Sequence, residues 1–172
     1  MRPMRWKRMA VVLAVLLAST SLAQSPANAQ TIVPIPNHFD GLDFSFVNQA
    51  SGKCLDVPKN AARPGVDLIQ YTCHHGESQT FERQQGLIVH SASRLCLDIE
   101  NESQGRGARL QLWECNRTAA QDFVLTNTGF VVSRQRGLCM DVTGSSPYNH
   151  APVIMWDCHR GANQSWTQSF AA

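Results

Sequence analysis

One carboxylate recurs three times along the chain, in the stretches CLDV, CLDI and CMDV that contain Asp56, Asp98 and Asp141. Further along each repeat an aromatic residue occupies one equivalent position. These aromatic residues are Tyr71, Trp113 and Trp156. An aromatic ring stacks against the apolar face of a pyranose, and a carboxylate accepts hydrogen bonds from two adjacent hydroxyl groups. The combination therefore predicts a sugar-binding site in each repeat.

Both residue types also have a purely structural interpretation. An aspartate after a strand can hydrogen-bond its own turn, and an aromatic residue can belong to the core. Because side chains alternate along a strand, Leu55, Leu97 and Met140 should face the core and the aspartates should point the other way. Gln111 shares a strand face with Trp113, which indicates that this face is open to water in at least one repeat.

The residues belong to three repeated units, at about 43–84, 85–127 and 128–170. Each unit has short β-type runs between Gly, Pro, Asn and Ser turns, lacks an amphipathic stretch of helix length, and ends in a Gln-x-Phe or Gln-x-Trp sequence. A period near 42 residues also suits a propeller blade, but three blades are fewer than the usual minimum of about four. The pattern predicts an all-β, closed threefold structure with few exposed strand edges.

Six cysteines are placed at equal intervals within the units. The two cysteines of each unit are 19 residues apart, which favours one disulfide inside each unit. The expected pairs are Cys54–Cys73, Cys96–Cys115 and Cys139–Cys158. Structural zinc is the alternative, but no two cysteines have the short spacing of such sites. His74 and His75 have no third metal ligand near them in sequence, so no metal or cofactor is expected.

Residues 1–29 have the pattern of a secretory signal peptide. Four basic residues precede a short apolar run and small residues follow it, which predicts cleavage after Ala29, or alternatively after Ala23. Residues 30–42 then form an N-terminal arm and residues 43–170 the folded domain. The signal peptide contains four of the 15 basic residues and none of the 13 acidic ones, which leaves a weakly acidic secreted chain. We expect neither nucleic-acid binding nor membrane insertion.

Three units with C-[LM]-D, a second cysteine and Q-x-[FW] resemble the ricin B-type lectin family. The resemblance covers nearly all of the mature chain, and it implies a β-trefoil that binds sugars. It also implies a sugar-binding amide immediately before the Q-x-[FW] glutamine. The third unit alone has this amide, Asn163 beside Gln164, since Ser78 and Ala120 occupy the position elsewhere.

The sugar-binding residues that the resemblance implies are unequally complete in the three units. They are Asp141, Trp156, Asn163 and Gln164 in the third unit, Asp98, Gln111, Trp113 and Gln121 in the second, and Asp56 and Tyr71 in the first. The third unit departs at Ile154, where the family often has glutamine, and the first lacks both amides unless Gln70 substitutes through a one-residue strand slip. The Q-x-[FW] glutamines also hold the fold together in this family. We therefore rank the sites third, second, first.

The resulting hypothesis is a secreted, monomeric, non-catalytic lectin that binds galactose-type or xylan-type glycans at several weak sites. A protein-binding trefoil, such as a protease inhibitor or a toxin-associated subunit, is the alternative, although it has no need for the complete third-unit set. Asp141 and Asp157 suggest the acid pair of a glycosidase. However, Asp141 has an equivalent in every unit, and symmetry-related carboxylates should face different ways.

Overall fold

The computed structural model describes residues 40–103 and 105–170. The predicted signal peptide and all but residues 40–42 of the predicted arm lie outside the described residues. Within those two ranges the chain forms thirteen short β-strands and single 3₁₀ turns, and no helix there is long and apolar enough to cross a membrane. The all-β fold class is confirmed.

The strands divide among the three predicted units. The first unit contains β1 (Asp43–Asn48), β2 (Cys54–Asp56), β3 (Val66–Asp67), β4 (Ile69–Tyr71) and β5 (Phe81–Gln84). The second contains β6 (Leu87–His90), β7 (Cys96–Ile99), β8 (Leu110–Trp113) and β9 (Phe123–Leu125). The third contains β10 (Val131–Ser133), β11 (Leu138–Val142), β12 (Val153–Asp157) and β13 (Trp166–Phe170).

Two 3₁₀ turns lie at equivalent places in each described unit. The first turn of each unit follows the C-[LM]-D strand and spans Pro58–Asn60, Glu100–Glu102 or Thr143–Ser145. The second turn contains the Q-x-[FW] glutamine and spans Glu77–Gln79, Ala119–Gln121 or Ala162–Gln164. Along the chain, the first turn precedes the strand that carries the aromatic residue, and the second turn follows it.

The strands form a barrel-like sheet in which the first and last strands pair. β1 pairs antiparallel with β13, with Phe44 opposite Phe170, and it also pairs with β2 and β5. The larger sheet continues through β5, β6, β7 and β8, and the second sheet runs from β9 through β10 and β11 to β12. The hairpins β2–β4, β7–β8 and β11–β12 repeat the same antiparallel pairing once per unit.

One disulfide lies inside each unit, as the spacing predicted. The bonds are Cys54–Cys73, Cys96–Cys115 and Cys139–Cys158. Each bond joins the start of the hairpin to the segment that follows the aromatic residue. In the chain-entropy account, closing a loop of this length stabilises the fold by about 3 kcal/mol per bond.

The core is built from one side of the repeated strands. Leu55, Leu97 and Met140 are fully buried, as predicted for the residue after the first cysteine. The aromatic residues of the Q-x-[FW] sequences join the same apolar cluster; they are Phe81, Phe123 and Trp166. Trp166 also donates its indole N–H to the carbonyl of Met140 at 3.1 Å. The end of each unit is therefore anchored beneath its hairpin.

Each hairpin also contacts a segment of a neighbouring unit. β3 of the first unit pairs with β8 of the second. Single bridges join Arg109 of the second unit to Ile154 of the third, and Pro152 of the third unit to Ile69 of the first. The strand that carries each aromatic residue consequently lies at a boundary between two units, so a site on that strand is built by both.

Candidate functional site

The three repeated aspartates are buried, each with 4% of its surface exposed. They do not hydrogen-bond their own turns. Instead, Asp56 accepts from Gln79, a residue 23 positions later, at 2.7 Å. The turn that contains Gln79 packs against the strand of Asp56, and the other units repeat this packing. Strand alternation therefore does not open these side chains to solvent, because the second 3₁₀ turn covers the side opposite the core.

The Q-x-[FW] glutamines hold the aspartates in place. In the third unit, Gln164 donates from Nε2 to Oδ2 of Asp141 at 2.8 Å and to the carbonyl of Asp157 at 2.7 Å. Its Oε1 accepts from the backbone N–H of His159 at 2.9 Å. Gln79 and Gln121 make equivalent bonds, and all three glutamines are fully buried. Their amides are therefore bonded to the protein, and their role is to position the aspartate.

The third unit leaves one carboxylate oxygen of Asp141 open. Oδ2 accepts from Asn163 at 2.9 Å and from Gln164 at 2.8 Å. Within residues 40–103 and 105–170, no hydrogen bond reaches Oδ1, and this oxygen is not among the buried polar atoms that lack a partner, so it retains some exposure although Asp141 as a whole is 4% exposed. The Trp156 ring nearby is 40% exposed. An ordered acceptor thus lies on the same hairpin as an accessible aromatic surface.

Two histidines complete the donors around these carboxylates. Nδ1 of His159 accepts from the backbone N–H of Gly161 at 3.1 Å. Because Nδ1 is an acceptor, the proton of the neutral ring lies on Nε2, 3.3 Å from Oδ2 of Asp141. His74 repeats the arrangement in the first unit, with its Nε2 3.4 Å from Oδ2 of Asp56. Both histidines therefore support a carboxylate.

The second unit occupies both oxygens of its aspartate. Gln121 donates to Oδ2 of Asp98 at 3.0 Å, and Gln111 donates to Oδ1 at 2.9 Å. Gln111 is only 7% exposed, so the open face predicted from this residue is wrong at Gln111 itself, although Trp113 is 41% exposed. The carboxylate of Asp98 is therefore already bonded by the Gln111 amide, and the oxygen of that amide remains as an acceptor.

The first unit surrounds Asp56 with a formed cavity of about 480 Å³. Oδ2 of Asp56 accepts from Ser78 at 3.1 Å, where the third unit has an asparagine, and Tyr71 lines the cavity. The suggestion that Gln70 substitutes for a missing amide is wrong. Gln70 is fully buried, and its Nε2 donates to the carbonyl of Ser146 at 2.7 Å.

Burial alters the acidity of two of the three carboxyl groups. It raises the pKa of Asp98 and of Asp141 above the ordinary value of 3.8, because the charged form loses hydration. Hydrogen bonds oppose this effect in both cases. The strongest of these comes from Gln111 at Asp98 and from Gln164 at Asp141.

A residue of the neighbouring unit lies against each aromatic ring. A Cβ atom at Gly65 would lie 3.5 Å from the Trp113 ring, and one at Gly107 would lie 3.8 Å from the Trp156 ring. The equivalent position beside Tyr71 is His150, whose ring centroid lies 5.1 Å from that of the tyrosine. All three residues have a left-handed backbone, with φ of +82°, +83° and +68°. The surroundings of Tyr71, Trp113 and Trp156 therefore include residues from a neighbouring unit.

The sequence of residues 43–166 matches the family described as the ricin-type β-trefoil lectin domain. The chain belongs to this family. No curated protein matches the chain in sequence. The resemblance inferred from C-[LM]-D and Q-x-[FW] is confirmed, as is the β-trefoil.

Solved structures similar to this lectin domain include a designed protein and natural ones. The designed threefold-symmetric protein ThreeFoil is 29% identical over 74% of this chain and 97% of its own, with a TM-score of 0.70. The exo-β-1,3-galactanase 1,3Gal43A from Clostridium thermocellum is 27% identical over 77% of this chain, with a TM-score of 0.69, and the match spans 31% of the galactanase. The C-half of an earthworm R-type lectin in complex with GalNAc is 19% identical over 76% of this chain and 99% of its own, with a TM-score of 0.64.

Sequence reasoning missed three residues of this lectin domain that contact the predicted site residues. His159 was not considered, His74 was considered only as a metal ligand, and His150 lies in another unit from the ring that it contacts. A signal existed for the first two, because both directly follow the second cysteine of their units. For His150 the signal was the glycine six residues before Trp113, whose counterpart before Trp156 is this histidine.

Proposed function

We propose that the mature protein is a secreted, non-catalytic lectin that binds galactose-type glycans through several weak sites, with the third unit as the principal site. Family membership and the lectins among the structural neighbours support carbohydrate binding. The observation that carries the proposal is that Asp141, whose Oδ1 has no partner among the described residues, pairs with Ile154, two residues before the exposed Trp156 on the same strand face. A held carboxylate beside an accessible aromatic ring fits the two kinds of surface on one pyranose.

Each third-unit residue has a specific part in this proposal. Oδ1 of Asp141 accepts from sugar hydroxyl groups, and the apolar face of the sugar stacks on Trp156. Asn163 is 6% exposed, and its Nδ2 donates to Asp141 at 2.9 Å and to the carbonyl of Val142 at 3.5 Å, which leaves its side-chain oxygen as an acceptor for a further hydroxyl. Gln164 and His159 hold the carboxylate. Little of this arrangement has to be ordered when the sugar binds, which favours affinity.

Galactose-type sugars are favoured over xylan by one comparison. The galactanase that is 27% identical to this chain is named for a galactose polymer. The second unit, with Trp113 and a capped Asp98, is proposed as an auxiliary site of lower affinity.

A binding role accounts for the carboxylates better than catalysis does. A glycosidase needs a second carboxyl group across the scissile bond from the first. Asp157, the partner that the sequence suggested for Asp141, instead forms an ion pair with Arg106 at 3.0 Å. The counterparts of Asp141 in the first and second units are Asp56 and Asp98, and each accepts a hydrogen bond from the equivalent glutamine. We therefore assign these groups to hydroxyl recognition.

Shallow sites of this kind bind weakly one at a time. An affinity of about 1 mM per site corresponds to roughly −4 kcal/mol. Two or more sites on one rigid body raise the apparent affinity for a polymer by a factor on the order of 10² or more. We therefore expect a galactan to bind much more tightly than methyl galactoside.

The decisive experiment is a glycan-array screen of residues 30–172, followed by titration calorimetry with methyl β-galactopyranoside, methyl β-xylopyranoside and the corresponding polysaccharides. We expect binding of galactose-containing glycans and no release of reducing sugar during prolonged incubation. Binding of xylans alone would show that the ligands are xylan-type glycans and not galactose-type glycans. Binding of a protease or another protein, with no glycan retained, would replace the lectin assignment by the protein-binding alternative.

Secretion is tested separately, by terminal sequencing of protein recovered from the culture medium of cells that express residues 1–172. The three disulfides favour an oxidising compartment. The expected product begins at Gln30, or at Gln24 if cleavage follows Ala23. Intact protein that is retained in the cytoplasm would contradict this part of the proposal.

A further inference from the structure

The first site is completed by a loop from the third unit. Gln70, directly before the ring of Tyr71 in the chain, donates from Nε2 to the carbonyl groups of Ser146 and Tyr148 at 2.7 and 2.8 Å. The backbone N–H of His150 donates in turn to the carbonyl of Gln70 at 2.9 Å. The loop before β12 is thereby fixed against the first unit, and His150 is held beside Tyr71 before any ligand arrives.

Groups that can carry positive charge are concentrated around this cavity. Lys59, His74 and His150 all line it. The carboxylates Asp56 and Glu77 line it as well, but Oδ2 of Asp56 already accepts hydrogen bonds from two neighbouring side chains and lies 3.4 Å from His74. The hydrogen bonds compensate part of the Asp56 charge. Because His74 lies at Asp56, Lys59 and His150 remain as N–H donors for an anionic group.

The other units have different residues at the positions of Lys59 and His150. Lys59 has φ of +58° in the first 3₁₀ turn, and Asn101 and Gly144 occupy the same position with φ of +54° and +61°. In the second unit this position is flanked by Glu100 and Glu102. The residues beside the aromatic rings differ in the same direction, since the second and third sites have glycine where the first has a histidine. The three sites therefore share a supporting frame and differ at these two positions, where only the first site has a lysine and a histidine.

We propose that the first site binds an acidic sugar, one that carries a carboxylate or sulfate group, and that Lys59 and His150 determine this specificity. Within the described part of the chain, the partners of Asp56 are all on Oδ2, so a hydroxyl of the sugar binds Oδ1. The apolar face of the sugar contacts Tyr71, and the anionic group of the sugar lies between Lys59 and His150. Charge-assisted hydrogen bonds of this kind are stronger than neutral ones. The inference deepens the proposed function and rests on it, because it assumes that the first unit binds a sugar.

The test isolates the first site without disturbing the core. Trp113→Ala together with Trp156→Ala removes the aromatic surfaces of the other two sites, and both rings are exposed enough for the fold to survive, which circular dichroism verifies. Methyl galactoside, methyl galacturonide and galactose 6-sulfate are then titrated at low ionic strength, where exposed charges are least screened. At least one acidic sugar should bind about tenfold more tightly than methyl galactoside. The difference should shrink at high salt, because exposed charges are screened.

Three further variants in the same background decide between charge recognition and a nonspecific effect. Lys59→Gln and His150→Gly should each lower the ratio of acidic-sugar to galactoside affinity toward one, and Glu77→Gln should raise it. Lys53→Gln, also in the same background, removes a positive charge from a lysine that does not line the cavity and serves as the matched control. This control should leave the first-site ratio unchanged.

The outcomes separate this inference from the proposed function. Equal affinity for the neutral and acidic sugars, or a preference that persists in both Lys59→Gln and His150→Gly, overturns the inference and leaves the lectin assignment standing. Loss of all sugar binding in the isolated first site, while the unaltered chain still binds galactosides, does the same. If the unaltered chain binds no sugar of any kind, both the proposed function and this inference fall.

Discussion

In the third unit an exposed indole, Trp156, lies beside a carboxylate whose second oxygen is open, and glycine from the neighbouring unit lies against the indole. The first unit holds its own carboxylate in nearly the same way, with glutamine and histidine at equivalent positions. Around that carboxylate, however, it has the smaller ring of Tyr71, a serine instead of an asparagine, and His150 instead of glycine.

The difference indicates that most of the supporting residues are distinct from the proposed sugar-contacting ones, with the aspartate belonging to both groups. The glutamines, the histidines after the second cysteine and the buried aspartates form a frame that the first and third units share. The residues that vary are those that meet the ligand or come from the adjacent unit. One backbone repeat can therefore present different sites, since changing the ligand-facing residues leaves the frame hydrogen-bonded.

The largest expected effect tests whether the disulfides of the first and third units contribute equally to the free energy of unfolding. Replacing Cys139 and Cys158 by alanine should lower the free energy of unfolding by about 3 kcal/mol, and replacing Cys54 and Cys73 should lower it by the same amount, because both loops have equal length. Chemical denaturation of the two double variants measures this. A large loss in one unit and almost none in the other would show that the frames are not equivalent.

Next in size is the difference between the two aspartates in binding. Asp141→Ala should weaken methyl galactoside binding by about 10- to 100-fold, because charge-assisted hydrogen bonds contribute roughly 1.5–3 kcal/mol. Asp56→Ala should change the methyl galactoside affinity by less than about threefold, an effect no larger than that of losing one weak neutral hydrogen bond. Titration calorimetry compares them. Both variants orphan a buried glutamine amide, so equal decreases in melting temperature provide the control, and a reversed order of binding losses would contradict the site ranking.

Acid should weaken the third site while the fold remains intact. Burial raises the pKa of Asp141, so its proton is held more firmly in the folded than in the unfolded chain. Its contribution to folding stability is therefore full below the unfolded pKa and is lost as pH rises through the folded pKa. Binding has the opposite dependence, because a hydroxyl group needs the charged acceptor.

Galactoside affinity should accordingly fall about tenfold as the pH decreases from neutral through the raised pKa of Asp141. A calorimetric series in pH, with circular dichroism at each point, measures the affinity and the fold together. Asp141→Asn should bind weakly at every pH and remove this dependence. An unchanged pH profile in that variant would place the titrating group elsewhere.

The smallest expected effect concerns the aromatic rings. Trp156→Ala should weaken methyl galactoside binding by about fivefold, equivalent to roughly 1 kcal/mol of stacking. Tyr71→Ala should leave that affinity almost unchanged, since the first unit is not the principal galactoside site. Quenching of tryptophan fluorescence by the sugar gives an independent readout, which Trp156→Ala should greatly reduce. Equal losses in the two variants would remove the distinction between the units.

Much of the frame could be predicted because it is local or repeated. Cys54 and Cys73 recur at the same spacing in all units, and Leu55 and its counterparts follow the alternation of a strand. The burial of Asp56 could not be predicted in this way, because it depends on a turn 23 residues away that covers the strand. The capping of Asp98 by Gln111 was equally hidden, since a glutamine in sequence is compatible with binding a ligand or a neighbour.

The sequence by itself determined the three units, the disulfide pairs, the core positions and the family, because these depend on spacing and on residue type repeated along one chain. Only the tertiary structure decided which carboxylate oxygens are open and which side chains from another unit reach each ring. His150 contacts Tyr71 because the closed trefoil brings the third unit against the first, with a hydrogen bond of 2.9 Å from its backbone to Gln70. Closure makes neighbours of residues far apart in the chain, and no periodicity records which ones.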